Sequence, residues 1–370
     1  MNQSSVFRQI LGKLKAENLG VSGEKPLVGW VCTYLPLEII EAAGLSPHRI
    51  IPEASSESAD TYLDPNFCPF IKASLGKALE GGYSSLSGMV ILNTCDGMRR
   101  LYDAWRFYVR PPFAYLLDVP RMVNRSSIAF FADGLKEMIL QIEKHFGTRV
   151  SEEKLISAIE EANITRSLVK RLFSSQGLGD PALRQSDIID ILSEGWSHPR
   201  GVFNKALGGF LDHLGNRRAP NRKGPRLMVT GSLLNGSHLI QLIEELGGEV
   251  ITCDLCTGER FVQNVNINSE PLMALSKAYL EKPPCARMFD IETRVSYLKE
   301  ELGENKVDGV IYFALKFCDP YLYEKPAVEE MLDQLEVPLL FLEGEFTSKS
   351  SGSMRTRIQA FLEVIRNHGG

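Results

Sequence analysis

Cysteine is the residue type in this 370-residue chain with the most distinctive chemistry and placement. Six of the seven cysteines occur where an apolar run passes into a segment that can begin a helix: Cys32, Cys68, Cys95, Cys256, Cys285 and Cys318. Free N–H groups and the positive end of the helix dipole favour a thiolate over a thiol at such positions. The pattern therefore suits a set of thiolate ligands.

Disulfides and zinc are poor explanations of these cysteines. An odd number of cysteines, in a large chain whose N-terminus lacks the apolar core of a signal peptide, argues against a disulfide framework. Structural zinc prefers two close ligand pairs, but only Cys253 and Cys256 have that spacing and the six histidines are dispersed. Iron–sulfur clusters accept widely spaced thiolates. The alternative is that the cysteines are small buried residues at strand ends.

Two sets of four predicted strands must position these thiols. The strands are expected at 27–32, 49–52, 88–94 and 113–119, and again at 226–232, 249–254, 309–315 and 338–345. Helical segments separate them, which is typical of a parallel sheet covered on both faces. Because the carboxyl ends of parallel strands line one crevice, we expect the cysteines to converge there. Asp96 and Asp319 are expected to cap the helices that follow Cys95 and Cys318.

The expected fold is α/β, with two Rossmann-like lobes whose parallel sheets face each other across a cleft. Residues 1–125 are predicted to form the N-terminal lobe, residues 126–222 a helical segment, and residues 223–370 the C-terminal lobe. Ser151, followed by Glu152 and Glu153, indicates a helix start in the middle segment. The basic run at 216–225 is rich in Pro and Gly, and we interpret it as a linker.

Composition and charge exclude several classes of function. A net charge of -5, with 44% hydrophobic and 24% charged residues, is ordinary for a soluble globular protein and lacks the basic excess of nucleic-acid-binding surfaces. No apolar run approaches the roughly 20 residues needed to cross a bilayer. We therefore expect a cytoplasmic protein with neither a nucleic-acid nor a membrane partner.

Six segments, in order over nearly the whole chain, carry a specific pattern. They are CTYLPLEIIEAAGLSPHRI from Cys32, CPFIKASLG from Cys68, NTCDGMRRLYD around Cys95, DLCTGERF around Cys256, FCDP around Cys318 and MRTRIQAFLE from Met354. Together they resemble the family of 2-hydroxyacyl-CoA dehydratase and benzoyl-CoA reductase subunits. The resemblance implies two lobes around an iron–sulfur cluster, which receives low-potential electrons from a separate ATP-hydrolysing activator with its own [4Fe-4S] cluster.

The sequence is most similar to the double-cubane cluster proteins of that family, which use six cysteines to hold two cubanes joined by a bridging sulfide. The resemblance implies three ligands from the front lobe and three from the back lobe: Cys32, Cys68 and Cys95, and then Cys256, Cys285 and Cys318. Cys253 falls inside a predicted strand, and we interpret it as a core residue. Ser232 stands at the position that corresponds to Cys32, so the lobes are not exact copies.

The function implied by the resemblance is ATP-dependent reduction of small molecules by a double-cubane [8Fe-9S] cluster, in an anaerobic, homodimeric iron–sulfur oxidoreductase. One alternative is a 2-hydroxyacyl-CoA dehydratase subunit, a hydro-lyase with a single [4Fe-4S] cluster. Another is a non-catalytic cluster-binding partner protein. The resemblance names neither the physiological substrate nor the proton donors.

Overall fold

Two parallel four-stranded sheets form the framework of the computed structural model. The structure describes residues 2–18, 25–52, 57–179, 181–214, 224–347 and 352–368, so that most of the basic run at 216–225 lies outside the described residues. The first sheet contains β1 (Leu27–Trp30), β2 (Ser46–Arg49), β3 (Leu86–Asn93) and β4 (Ala114–Asp118). The second contains β5 (Arg226–Gly231), β6 (Glu249–Asp254), β7 (Gly309–Leu315) and β8 (Leu339–Gly344).

The second sheet repeats the topology of the first. The strand orders are β2-β1-β3-β4 and β6-β5-β7-β8, and every neighbouring pair is parallel. All seven residues of β7 are buried, as its continuous apolar sequence predicts for a strand covered on both faces. The predicted α/β fold with two Rossmann-like sheets is confirmed. The division at residues 125 and 222 stays a prediction.

The second strand lies earlier than its apolar residues indicate. We expected it at 49–52, whereas β2 pairs with β1 from Ser46 to Arg49. This strand is at the edge of its sheet, where a proline such as Pro47 is tolerated and few apolar residues are required. Ile50 follows the strand and is fully buried in the core.

Helices surround both sheets and also form a separate group. The helices that follow strands are α2 (Leu37–Ala42), α3 (Pro69–Leu79), α4 (Asp96–Ala104), α5 (Arg125–Phe146), α9 (His238–Glu245), α10 (Pro271–Glu281), α11 (Ile291–Asn305), α12 (Asp319–Gln334) and α13 (Gly352–His368). The separate group contains α1 (Gln3–Asn18), α6 (Glu152–Ser174), α7 (Gln185–Gly195) and α8 (Arg200–Leu214). The Ser151 side chain caps α6, as predicted, by accepting a hydrogen bond from the Lys154 N–H at 3.3 Å. No helix of the described ranges is both long and apolar enough to cross a membrane.

The back half of the chain contributes to the core of the first sheet. Leu275 and Leu280 of α10 belong to the same buried cluster as Val90 of β3 and Leu135 of α5. A buried polar contact lies at the same junction, where Arg166 of α6 pairs with Glu38 of α2 and the Tyr279 hydroxyl of α10 donates to that carboxylate at 2.8 Å. Elements from the front, the middle and the back of the sequence therefore share one core.

Candidate functional site

A cavity of about 290 Å³ lies beyond the carboxyl ends of strands from both sheets. All six cysteines of the predicted set contribute to its wall: Cys32, Cys68, Cys95, Cys256, Cys285 and Cys318. Cys253 does not line the cavity, because it lies inside β6 with 2% of its surface exposed. The structure thus brings together the six thiols that the sequence analysis selected, and their role as ligands stays a prediction.

Three of these thiols lie at helix N-termini, and we call them the helix-start thiols: Cys68, Cys95 and Cys318. They are the N-cap residues of α3, α4 and α12. The thiol of Cys318 hydrogen-bonds that of Cys68, which lowers the pKa of Cys68 and raises the pKa of Cys318. Burial raises the pKa of Cys95 to about 11.

The aspartates that follow two of these cysteines do not cap the helices. Asp96 and Asp319 are the first residues of α4 and α12, one position beyond the N-cap. Neither helix has a side-chain cap hydrogen bond, and Asp96 instead pairs with Arg100 at 3.4 Å. The prediction that these aspartates are caps is wrong, because the extended backbone that precedes α4 belongs to Cys95.

The backbone is strained next to Cys318. Phe317 has a φ of 56°, in the left-handed region that is unfavourable for a residue with a bulky side chain. It lines the cavity and is 44% exposed. Strain of this kind persists only where the surrounding structure imposes it, and it clusters at functional sites. The cavity opens to solvent beside this residue and beside the exposed Asp64 and Asn66.

The other three thiols lie among positive charges, and we call them the cation-flanked thiols: Cys32, Cys256 and Cys285. Arg260, which also pairs with the buried Asp254, donates from Nη1 to Cys256 Sγ at 3.3 Å. Burial, together with the neighbouring Cys285, raises the pKa of Cys32. These thiols come from both halves of the chain, as do the helix-start thiols, so each group spans the two sheets.

Three further buried cations stand beside the cation-flanked thiols. Arg49 donates from Nη2 to the Cys256 carbonyl at 2.8 Å, and Lys282 donates to the Thr33 carbonyl. Arg287 lines the cavity itself. Burial lowers the pKa of Arg49 to about 10 and that of Lys282 to about 7, against the opposing effect of the nearby thiols.

Several buried donors around these thiols have no acceptor. Arg49 Nε and Nη1, Arg287 Nε and the Tyr34 hydroxyl make no hydrogen bond within the described residues. Buried donors of this kind are costly unless an acceptor is bound. Of these residues Arg287 lines the cavity, where an anionic cofactor would supply an acceptor.

The donor set fits an iron–sulfur cluster. Each iron of a cubane takes its own thiolate, so that the ligands of one cluster are spread more widely than those of a single ion. Within the ranges that the structure describes, no three His, Cys, Asp or Glu side chains are grouped tightly enough for a single metal ion. Spread thiols, buried cations and donors without acceptors together suit a polynuclear anionic group.

Sequence reasoning missed the cations and Tyr34. Their positions in the sequence carry no spacing that links them to the cysteines, because α10 and the loop after it reach Tyr34 only through packing against the first sheet. The one usable signal was local, since Arg49 and Tyr34 both lie within the segment that begins at Cys32.

Comparison with known proteins finds relatives over nearly the whole chain. Residues 32–365, which include all six thiols, match the family model of the 2-hydroxyglutaryl-CoA dehydratase D-component. The chain is 28% identical to the putative dehydratase subunit YjiM of Escherichia coli strain K12, over 92% of this chain and 91% of that protein. It is 26% identical to the (R)-phenyllactyl-CoA dehydratase beta subunit of Clostridium sporogenes, over 93% of this chain and 92% of that protein. It is 24% identical to a benzoyl-CoA reductase subunit of Thauera aromatica, over 92% of this chain and 91% of that protein.

Proposed function

Because the chain belongs to the 2-hydroxyglutaryl-CoA dehydratase D-component family, as its match over residues 32–365 establishes, we propose that it is an ATP-dependent iron–sulfur reductase of small molecules. Its cofactor is a double-cubane [8Fe-9S] cluster held by the helix-start and the cation-flanked thiols. A separate ATP-hydrolysing activator with a [4Fe-4S] cluster delivers the electrons. The observation that carries the proposal is the convergence of six thiols from both sheets on one cavity.

The names of the relatives indicate two kinds of reaction for this chain. Those named as dehydratases eliminate water, and the one named as a benzoyl-CoA reductase adds electrons to its substrate. This chain is therefore expected to catalyse a related dehydration or reduction. Two features of the site favour reduction, namely the number of thiols and the buried positive charge beside them.

The chain's own residues prepare the cavity for such chemistry. A bound cluster supplies single electrons at low potential. Arg260 fixes the Cys256 thiol, and Arg49 fixes the carbonyl of the same residue. Apolar side chains such as Ile71 and Leu315 line the wall and exclude water. A cavity of about 290 Å³ that also holds a cofactor would enclose only a small substrate or the reacting end of a larger one.

A dehydratase subunit with one [4Fe-4S] cluster is the second candidate. Three of the relatives are named as beta subunits of acyl-CoA dehydratases, which favours a different second subunit over the homodimer proposed from the resemblance. Under this function only three of the six thiols would bind iron. The cavity itself would be unchanged.

Iron and sulfide analysis of anaerobically purified protein separates these functions. We expect about eight iron atoms per chain for a double cubane and about four for a single cubane. Cys285→Ser and Cys318→Ser lower the iron content only under the double-cubane proposal. Cys253→Ala is the matched control, because this thiol is buried away from the cavity.

Turnover provides the second test. Protein supplied with its activator, ATP and a reductant should consume electrons in the presence of a suitable small substrate. A protein that binds iron but consumes no electrons with any candidate substrate would instead be a non-catalytic cluster-binding partner.

A further inference from the structure

The three cations beside the cation-flanked thiols are not neutralised by carboxylates. Arg49, Lys282 and Arg287 are each less than 8% exposed, and none of them forms an ion pair with an acidic side chain among the described residues. Backbone carbonyls accept their hydrogen bonds, and Arg287 donates to the carbonyls of Val119 and Pro120 at 2.7 and 3.0 Å. The positive charges of these three side chains therefore have no carboxylate counter-charge among the described residues.

Aromatic rings hold these cations in place. The Arg49 guanidinium lies 5.1 Å from the centre of the Trp30 ring. Lys282 Nζ and the Arg287 guanidinium lie 4.1 and 4.9 Å from the centre of the Tyr34 ring. A ring face attracts a cation but carries no net charge, so it positions the charge without cancelling it.

A buried cation without a counter-charge is destabilising, because it has lost its hydration and gained no anionic partner. The acidic groups that act on Lys282 and Arg49 are cation-flanked thiols. Lys282 interacts with all three of them, and Arg49 interacts with Cys32 and Cys256. The positive charge is thus directed at one end of the cavity.

The other end of the cavity has the opposite character. The charged side chains that line it are Asp64, Asp96 and Asp319, which lie close in sequence to the helix-start thiols. Asp319 acts on Cys68 in the direction that disfavours a thiolate. The backbone N–H groups of three helices are the favourable contribution at this end. The two thiol groups consequently lie in different electrostatic environments.

From this difference we infer that Arg49, Lys282 and Arg287 are positioning residues that make the part of the cluster bound by Cys32, Cys256 and Cys285 the more easily reduced part. The inference rests on the proposed function. Reduction adds one electron, and hence one negative charge, to that part of the cluster. The electron comes from the activator, or from dithionite in vitro. Buried positive charge stabilises the reduced state more than the oxidised state.

The test is a redox titration of the anaerobic holoprotein followed by electron paramagnetic resonance. The variants are Lys282→Met, which removes the charge, and Lys282→Arg, which keeps it. Lys325→Met is the matched control, because Lys325 Nζ also lies on an aromatic ring, 4.8 Å from the centre of Phe341, but beside Glu329 rather than the thiols. Iron content is measured for every sample.

In Lys282→Met we expect the equilibrium constant of the higher-potential reduction step to fall at least tenfold, which is about 59 mV for one electron. In Lys282→Arg and Lys325→Met that constant should stay within about threefold of the unmodified protein. Loss of iron from Lys282→Met, with full iron in Lys282→Arg, also supports the inference, because the two variants differ in charge. An unchanged higher-potential step in an iron-loaded Lys282→Met overturns it. Absence of iron from the unmodified protein would instead overturn the proposed function.

Discussion

The thiols of Cys68 and Cys318 share a hydrogen bond, although one precedes a helix of the first sheet and the other a helix of the second. The sequence analysis grouped the thiols by lobe. In the structure Cys318 acts electrostatically on or responds to Cys68 and Cys95, and Cys32 responds to Cys256 and Cys285, while a weaker interaction of Cys32 with Cys95 joins the two groups. Each proposed half of the cluster would then draw ligands from both sheets.

Cys68→Ser and Cys318→Ser are therefore expected to remove the same iron. Each variant should lose at least half of the iron of the unmodified protein, and the double variant should lose no more than either single one, because both thiols would serve one cubane. Iron analysis after anaerobic purification measures this. If the double variant loses clearly more iron than either single variant, Cys68 and Cys318 serve different cubanes, as in the grouping by lobe.

The ion pair of Glu38 and Arg166 should contribute strongly to stability. Arg166→Met removes the ion pair of Glu38, whose side chain is fully buried, and leaves it the hydrogen bond from the Tyr279 hydroxyl and the more distant charge of Arg200. We expect the free energy of unfolding to fall by about 3–5 kcal/mol, as measured by chemical denaturation. The matched control is Arg171→Met, which breaks the exposed pair with Asp212 and should cost less than about 1 kcal/mol. Equal losses in the two variants would contradict this prediction.

Glu259 should make the protein less stable as the pH rises. Burial and the neighbouring Glu301 raise the pKa of Glu259 from 4.5 to about 8. Between these values the unfolded chain has released a proton that the folded chain keeps, so the free energy of unfolding falls with increasing pH. Glu259→Gln removes this contribution, and its stability relative to the unmodified protein should rise by about 1.4 kcal/mol per pH unit.

Denaturation curves at several pH values between about 5 and about 8 measure that change. Glu160→Gln on the exposed surface of α6 is the control, and its stability should follow that of the unmodified protein. Parallel pH profiles for Glu259→Gln and the unmodified protein would show that Glu259 is ionised in the folded state.

Gly231 should not tolerate a side chain. It ends β5 with a φ of 134°, and a Cβ atom there would lie 1.9 Å from the Phe313 carbonyl oxygen. That oxygen accepts a hydrogen bond from the Ser232 N–H at 2.9 Å, so it cannot move without disturbing the cavity wall. We expect Gly231→Ala to lower the free energy of unfolding by at least about 3 kcal/mol.

Gly44→Ala is the control for that substitution. Gly44 also has a positive φ, of 78°, but a Cβ atom there would meet nothing within 4 Å. Gly44→Ala should lower the free energy of unfolding by about 1 kcal/mol, from backbone strain alone. Similar denaturation midpoints for the two variants would show that the strand end at Gly231 can relax.

Much of this arrangement could be predicted because it depends on local sequence. The bounds of β6 and β7 agree with their apolar runs, and the rule that ligands gather at the carboxyl ends of parallel strands led to the six thiols. The predicted position of β2 was wrong because an edge strand needs little apolar sequence. The thiol contacts and the cations escaped prediction because they depend on how distant segments pack. Lys282, for example, reaches Thr33 only through the docking of α10 on the first sheet.

The docking of α10 on the first sheet also limits how the molecule can move. A hinge between the two sheets would have to pull Leu275, Tyr279 and Leu280 out of a core that they share with the front half of the chain. Such a motion amounts to partial unfolding and is too costly to accompany every turnover. Under the proposed function, substrate and product would therefore be exchanged at the opening beside Phe317, without a hinge motion of the two sheets.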